Sequence, residues 1–86
     1  MGSFDIDVLP TALAEWSGLA TRRARSQVAD ALEGLRDEPR PPGSFRLIAE
    51  SKRRLYLEDA VIAYLVDEAS RTIWILEVTP RRRARP

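Results

Sequence analysis

Residues Arg53–Asp67, R-R-L-Y-L-E-D-A-V-I-A-Y-L-V-D, decide the fold of this chain. The run reads as two strands folded back on each other around Glu58-Asp59. Side chains alternate faces along a strand, so Leu55 and Leu57 point one way while Arg54 and Tyr56 point the other. Val61–Val66 is apolar almost throughout, which suits a central strand covered on both faces. A two-residue turn at Glu58-Asp59 pairs Leu55 with Ile62 and Tyr56 with Val61. One face of the hairpin then carries Arg54, Tyr56, Val61 and Ala63.

Upstream, Phe4–Leu9 alternates apolar and acidic residues, as a half-buried strand does; Phe4, Ile6 and Val8 face the core, Asp5 and Asp7 face water. Pro10-Thr11 ends that strand and opens a short helix to Leu19, because Pro is tolerated at a helix start. Leu13, Trp16 and Leu19 (or Ala20) fall at helical spacing on it. Thr21 is a candidate N-cap for a second helix reaching Asp37, with the apolar stripe Ala24, Val28, Ala31, Leu32, Leu35. Three prolines and a glycine between Asp37 and Ser44 forbid helix and central strand alike, so this is a surface loop. Phe45–Ile48 is a brief strand or a tucked-in loop. Downstream of the hairpin, the polar turn Asp67–Arg71 leads into Thr72–Val78, a strand apolar on both faces and stopped by Thr79-Pro80. The fold class is α+β: an N-terminal strand, a helical hairpin, then an antiparallel β-meander, with the helices on one face of the sheet. The other face stays open for function.

The 86 residues form one domain, residues 1–86, with 81–86 as a basic tail. A chain of this size buries roughly 60–65% of its unfolded surface, enough for one modest core that a binding partner would stabilise further. At 44% hydrophobic and 31% charged, its composition is that of a globular domain. No apolar run approaches the ~18 residues of a membrane span, and the opening M-G-S-F-D-I-D-V lacks the basic and apolar regions of a signal peptide. A cytoplasmic protein is expected. Cysteine and histidine are both absent, which excludes disulfides, thiol nucleophiles, Cys/His zinc sites and histidine acid–base chemistry. No metal or cofactor is expected. Residues 1–50 hold six Lys+Arg against eight Asp+Glu, whereas residues 51–86 hold eight against five. Positive charge therefore gathers in Lys52-Arg53-Arg54 and in Arg81-Arg82-Arg83 with Arg85, two clusters at strand ends that together would attract phosphates.

The ordered set of motifs resembles the RelE/ParE superfamily of toxins from type II toxin–antitoxin modules. It comprises the opening strand with Pro-Thr-Ala-Leu and Trp16, then Ala31-Leu32…Leu35 running into Asp37-Glu38-Pro39-Arg40-Pro41. It continues with Arg54-Leu55, Asp59, Val61-Ile62-x-Tyr64-x-Val66-Asp67, and Ile73-x-Ile75-Leu76-x-Val78-x-x-Arg81-Arg82. The resemblance implies a toxin held inactive by a cognate antitoxin laid over its apolar and basic surfaces. Some members of the superfamily cut mRNA inside the ribosome, and others poison DNA gyrase. The resemblance puts Arg54 at a basic position of the first hairpin strand and Arg81 at the arginine after the last strand. Tyr56 stands where a further basic residue is usual, Val61 where the second hairpin strand of cutting members carries arginine. Glu58-Asp59 replaces a Gly-Asp turn, and R-R-R-A-R-P offers no counterpart of the late tyrosine that cutting members often carry.

Cleavage of RNA through its 2′-hydroxyl needs a base, positive charge on the phosphorane, and an acid for the leaving oxygen. Without histidine, Lys52 and Tyr56 are the nearby candidates for proton transfer. Arg54 and Arg81 are the candidates to hold the phosphate, bidentately where their placement allows. The expected site is therefore catalytic Arg54, Tyr56 and Arg81, with Lys52, Arg53, Arg82 and Arg83 binding RNA. The activity expected is a ribosome-dependent mRNA endoribonuclease with a degenerate site. The alternatives are a gyrase poison and a non-toxic interaction module. Against that reading, Tyr56 and Tyr64 both read as packing residues with a hydrogen-bonded hydroxyl, and Trp16 and Trp74 as core residues.

Overall fold

A computed structural model describes residues 3–46 and 52–81. Along the chain run β1 (Asp5–Val8), α1 (Pro10–Ser17), α2 (Arg22–Asp37), β2 (Ser44–Arg46), β3 (Lys52–Tyr56), β4 (Ala60–Asp67) and β5 (Thr72–Pro80). The strands form one sheet in the order β1-β5-β4-β3-β2. The expected helical hairpin and meander are both present. Leu47 and Ile48 lie outside the described residues, so the observed β2 covers only the start of the apolar stretch beginning at Phe45.

The hairpin adopts the register expected from its sequence, Leu55 opposite Ile62 and Tyr56 opposite Val61. Leu57 N–H donates to Ala60 O at 2.8 Å, closing the turn over Glu58-Asp59. Neither turn residue takes a positive φ; among the described non-glycine residues only Arg71 does. Glycine is therefore not required there.

β1 pairs parallel with β5, Ile6 opposite Ile73 and Val8 opposite Ile75. A parallel neighbour needs a long crossover, and the helices and meander together supply it. Backbone bonds from Phe4 N to Arg36 O (2.8 Å), Asp5 N to Arg71 O (2.9 Å) and Leu9 N to Ile75 O (3.1 Å) fix both ends of β1.

The helices cover one face of the sheet, α1 against β5 and α2 against β1, β4 and β5. Thr21 caps α2 as expected, its Oγ1 accepting from Ala24 N at 3.0 Å. Ala24, Val28, Leu32 and Leu35 are buried along the stripe, with Ala31 packed at its edge. On α1 the inward residue is Ala12, fully buried, while Leu13 is 50% exposed. Positions 12 and 13 both sit at helical spacing from Trp16, and the small side chain wins because it lets α1 approach β5 closely. Trp16 Nε1 donates to Arg25 O (3.1 Å) and Arg25 Nη1 to Leu19 O (2.6 Å), locking the corner between the helices.

β4 is covered on one face only, contrary to its uniformly apolar sequence. Ala60, Ile62, Tyr64 and Val66 are buried, whereas Val61, Ala63 and Leu65 are half-buried. The same holds on β5: Trp74, paired with Leu65, is half-buried on the outer face instead of lying in the core. Leu65 and Trp74 thus stand opposite one another on the outer face. On the inner face the Tyr64 hydroxyl donates to Pro39 O at 2.8 Å, tethering the proline loop. Burial pushes the Tyr64 phenol above its usual pKa, partly offset by neighbouring Ser44, Arg53 and Arg40.

Candidate nucleic-acid interface

The uncovered face of the sheet is built in cross-strand rows. Arg54 on β3 stands opposite Ala63 on β4, which stands opposite Glu77 on β5; the next row runs Tyr56, Val61, Thr79. Because Ala63 and Val61 are short, the middle of each row is a trough. These six residues line a cavity of about 180 Å3. A second, wider cavity of about 480 Å3 adjoins it, lined by Phe45, Arg54, Tyr56 and Arg81. Arg54 and Tyr56 belong to both.

The rows depend on an irregularity in β5. Ala63 pairs with Glu77 but Tyr64 pairs with Ile75, so Leu76 is an extra residue, a β-bulge. Ile73 and Ile75 point into the core, and strict alternation would send residue 77 there too. The bulge shifts the phase by one, so that Val78 is buried and Glu77 and Thr79 are exposed. Bulges bend strands and re-aim side chains in this way. Glu15 on α1 accepts the Val78 backbone N–H at 2.9 Å, holding the shifted segment.

Arg81 is drawn onto the same face by the hairpin turn. Its backbone N–H donates to Asp59 O at 3.1 Å and its Nη1 to Leu57 O at 2.9 Å. Its guanidinium carbon lies 5.5 Å from the centre of the Tyr56 ring, a cation–π arrangement. Phe45 meets Tyr56 edge-on, with ring centres 5.9 Å apart at 70°; the two residues are 59% and 39% exposed. The turn itself is held from α2. Gln27 Nε2 donates to Asp59 Oδ2 (3.0 Å) while Asp59 N–H donates to Gln27 Oε1 (2.9 Å), and Arg23 pairs with both Glu58 and Asp59. A chain of hydrogen bonds thus runs from α2 through the turn to Arg81.

Arg54, Tyr56 and Arg81, singled out in the sequence, come together around the two cavities. Lys52 is exposed and lies on the same face, two positions before Arg54, outside both cavities. Arg53 points to the opposite face, where its Nε and Nη2 donate to Ser44 Oγ at 3.2 and 3.0 Å. It is not part of the open-face group. Arg82, Arg83 and Arg85 lie outside the described residues. Sequence reading missed Phe45, Glu77 and Thr79. The spacing Ile73-x-Ile75-x-x-Val78 carried a signal for the last two, since a period of two interrupted by a step of three marks a bulge.

Arg54 and Arg81 can bind a phosphate, Phe45 and Tyr56 can meet the face of a base, and Glu77 can accept a proton. Among the described residues no three His, Cys, Asp or Glu side chains come together in a way that could hold a metal ion. No helix among them is long and apolar enough to cross a membrane.

No protein-family model matches the chain, and no curated protein matches it in sequence. Solved structures do match its fold. RelE–RelB of Pyrococcus horikoshii superposes with a TM-score of 0.83 at 19% identity, covering 95% of this chain and 99% of that one. The intact RelBE toxin–antitoxin complex of E. coli gives 0.80 at 18%, covering 94% and 100%. RelBE2 of Mycobacterium tuberculosis gives 0.75 at 21%, covering 92% and 99%. The chain therefore has the RelE fold over nearly its whole length.

Proposed function

We propose that this chain is the toxin of a RelE-type toxin–antitoxin pair and acts as an endoribonuclease on mRNA in the ribosome. The observation that carries the proposal is the convergence of Arg54, Tyr56 and Arg81 on the wider cavity that adjoins the trough of a RelE-fold sheet. Two arginines lining that cavity, one on β3 and one just past the end of β5, suit the in-plane oxygens of a pentavalent phosphate. Tyr56 lines the same cavity, under the Arg81 guanidinium, and carries the exchangeable proton that the leaving 5′-oxygen needs. Lys52 extends the positive surface along the RNA backbone. The partner in this reading is a cognate antitoxin, as in the RelE–RelB complexes that share the fold. The place of action is the cytoplasm, where ribosomes are.

Val61 favours a second reading. It puts an apolar floor where cutting members of the superfamily have an arginine, and a gyrase poison needs no such cation. Expression of the chain without its antitoxin gene separates the readings. Growth arrest with mRNA cuts in codon register, seen by primer extension, supports the nuclease. Growth arrest with DNA breaks and no mRNA cuts supports the gyrase poison. Normal growth removes both and leaves an interaction module on a toxin fold.

A further inference from the structure

The trough holds one anionic group in a surface otherwise suited to phosphate. Glu77 stands in the same cross-strand row as Arg54, with Ala63 between them. Adjacent strands are 4.7–4.9 Å apart, so the two backbones are separated by roughly 10 Å. That span accommodates a ribose-phosphate between side chains reaching inward from both sides. Among the described residues neither Arg54 nor Glu77 is engaged in an ion pair. The carboxylate reaches this face only through the bulge at Leu76, which Glu15 secures from the far side of the sheet.

Resting on the nuclease reading, we propose that Glu77 is the proton acceptor of the cleavage step. The Glu77 carboxylate takes the proton of the RNA 2′-hydroxyl. The resulting oxyanion forms a bond to the adjacent phosphorus, and the P–O5′ bond breaks with its electron pair passing to the 5′-oxygen. Tyr56 donates a proton to that oxygen, and water returns the proton held on Glu77 to the tyrosine. The products are a 2′,3′-cyclic phosphate and a 5′-hydroxyl, with no net change in the protein. Arg54 and Arg81 remain cationic throughout and hold the phosphoryl oxygens. The arrangement answers the chemical gap left by a chain without histidine. It also assigns Tyr56 to a single role, that of the acid.

The test is single-turnover cleavage of a defined mRNA on programmed ribosomes by the purified full chain, measured across pH. Glu77→Gln keeps the shape of the side chain and removes its basicity. Its rate is expected to fall by roughly 10²–10⁴-fold, the usual contribution of a general base. The acid limb of the pH–rate profile is expected to disappear, with ribosome binding unchanged. Glu77→Asp is expected to restore the acid limb at a reduced rate. Cleavage by Glu77→Gln at the original rate with the acid limb intact would overturn the assignment alone. Failure of the unaltered chain to cleave overturns the nuclease reading and the assignment together.

Discussion

The two faces of β4 differ although their residues alternate along one apolar strand. On the inner face Ala60, Ile62 and Tyr64 are wholly buried. On the outer face Val61 and Ala63 form the floor of an open trough. Hydrophobicity alone does not distinguish the two sets. What separates them is the placement of α1 and α2, whose stripes select one face and leave the other to the rims supplied by β3 and β5. An apolar strand can thus be central in its sheet and still present half its side chains to a ligand.

Changes on the inner face should cost stability, and changes on the outer face should alter activity. The largest effect expected is from Ile62→Ala, which empties a fully buried site. Its cost should be about 2–5 kcal/mol in chemical denaturation, a large share of the stability of a small domain. A loss under 1 kcal/mol would show that the helices do not pack as described. Next comes Val61→Arg, on the same strand but the opposite face. It adds a cation to the trough beside Arg54, and one transition-state donor is worth on the order of 10²–10³ in rate. A rise in mRNA cleavage with an unchanged denaturation midpoint supports a weakened nuclease site; no change in cleavage argues against one.

Smaller effects should sharpen the boundary between the faces. Tyr64→Phe removes the hydrogen bond to Pro39 and should cost about 1 kcal/mol. The folded-state phenol has a raised pKa, so folding favours its protonated form. That contribution is fully present below the unfolded tyrosine pKa of about 10 and is lost as pH rises through the higher folded value. The unaltered chain should therefore lose more stability above pH ~10 than Tyr64→Phe does; parallel alkaline curves would contradict this. Gln27→Ala severs the reciprocal bonds to Asp59 and should cost about 1 kcal/mol. It should also lower cleavage, because Asp59 O receives the Arg81 backbone N–H. Cleavage matching that of the unaltered chain would show that Arg81 is held without help from α2.

The inner face was largely legible in the sequence. The α2 stripe, its Thr21 cap and the pairing of Leu55 with Ile62 follow from local periodicity and turn length, and the structure has all three. Leu13 misled because two adjacent apolar residues both satisfy helical spacing, and only contact with β5 chooses Ala12. The parallel pairing of β1 with β5 was hidden because it joins segments more than 60 residues apart in sequence, with no turn between them to announce it. The outer face was half legible. Arg54, Tyr56, Val61 and Ala63 share a face by simple alternation, but Glu77 and Thr79 join them through a bulge, and bulges break the alternation on which such reading depends. Phe45 was missed for a related reason: its side is set by its pairing with Arg54 on the neighbouring strand.

Under the proposed function, the open face carrying Arg54 and Arg81 cuts RNA while the covered face only supports it. Ribosome-programmed mRNA cleavage by Arg54→Ala, Arg81→Ala and the unaltered chain, each checked for an equal melting temperature, tests it most directly. Each substitution is expected to reduce cleavage by on the order of 10²–10³-fold with folding and antitoxin binding intact. Undiminished cleavage by both variants would contradict the claim and move the site elsewhere.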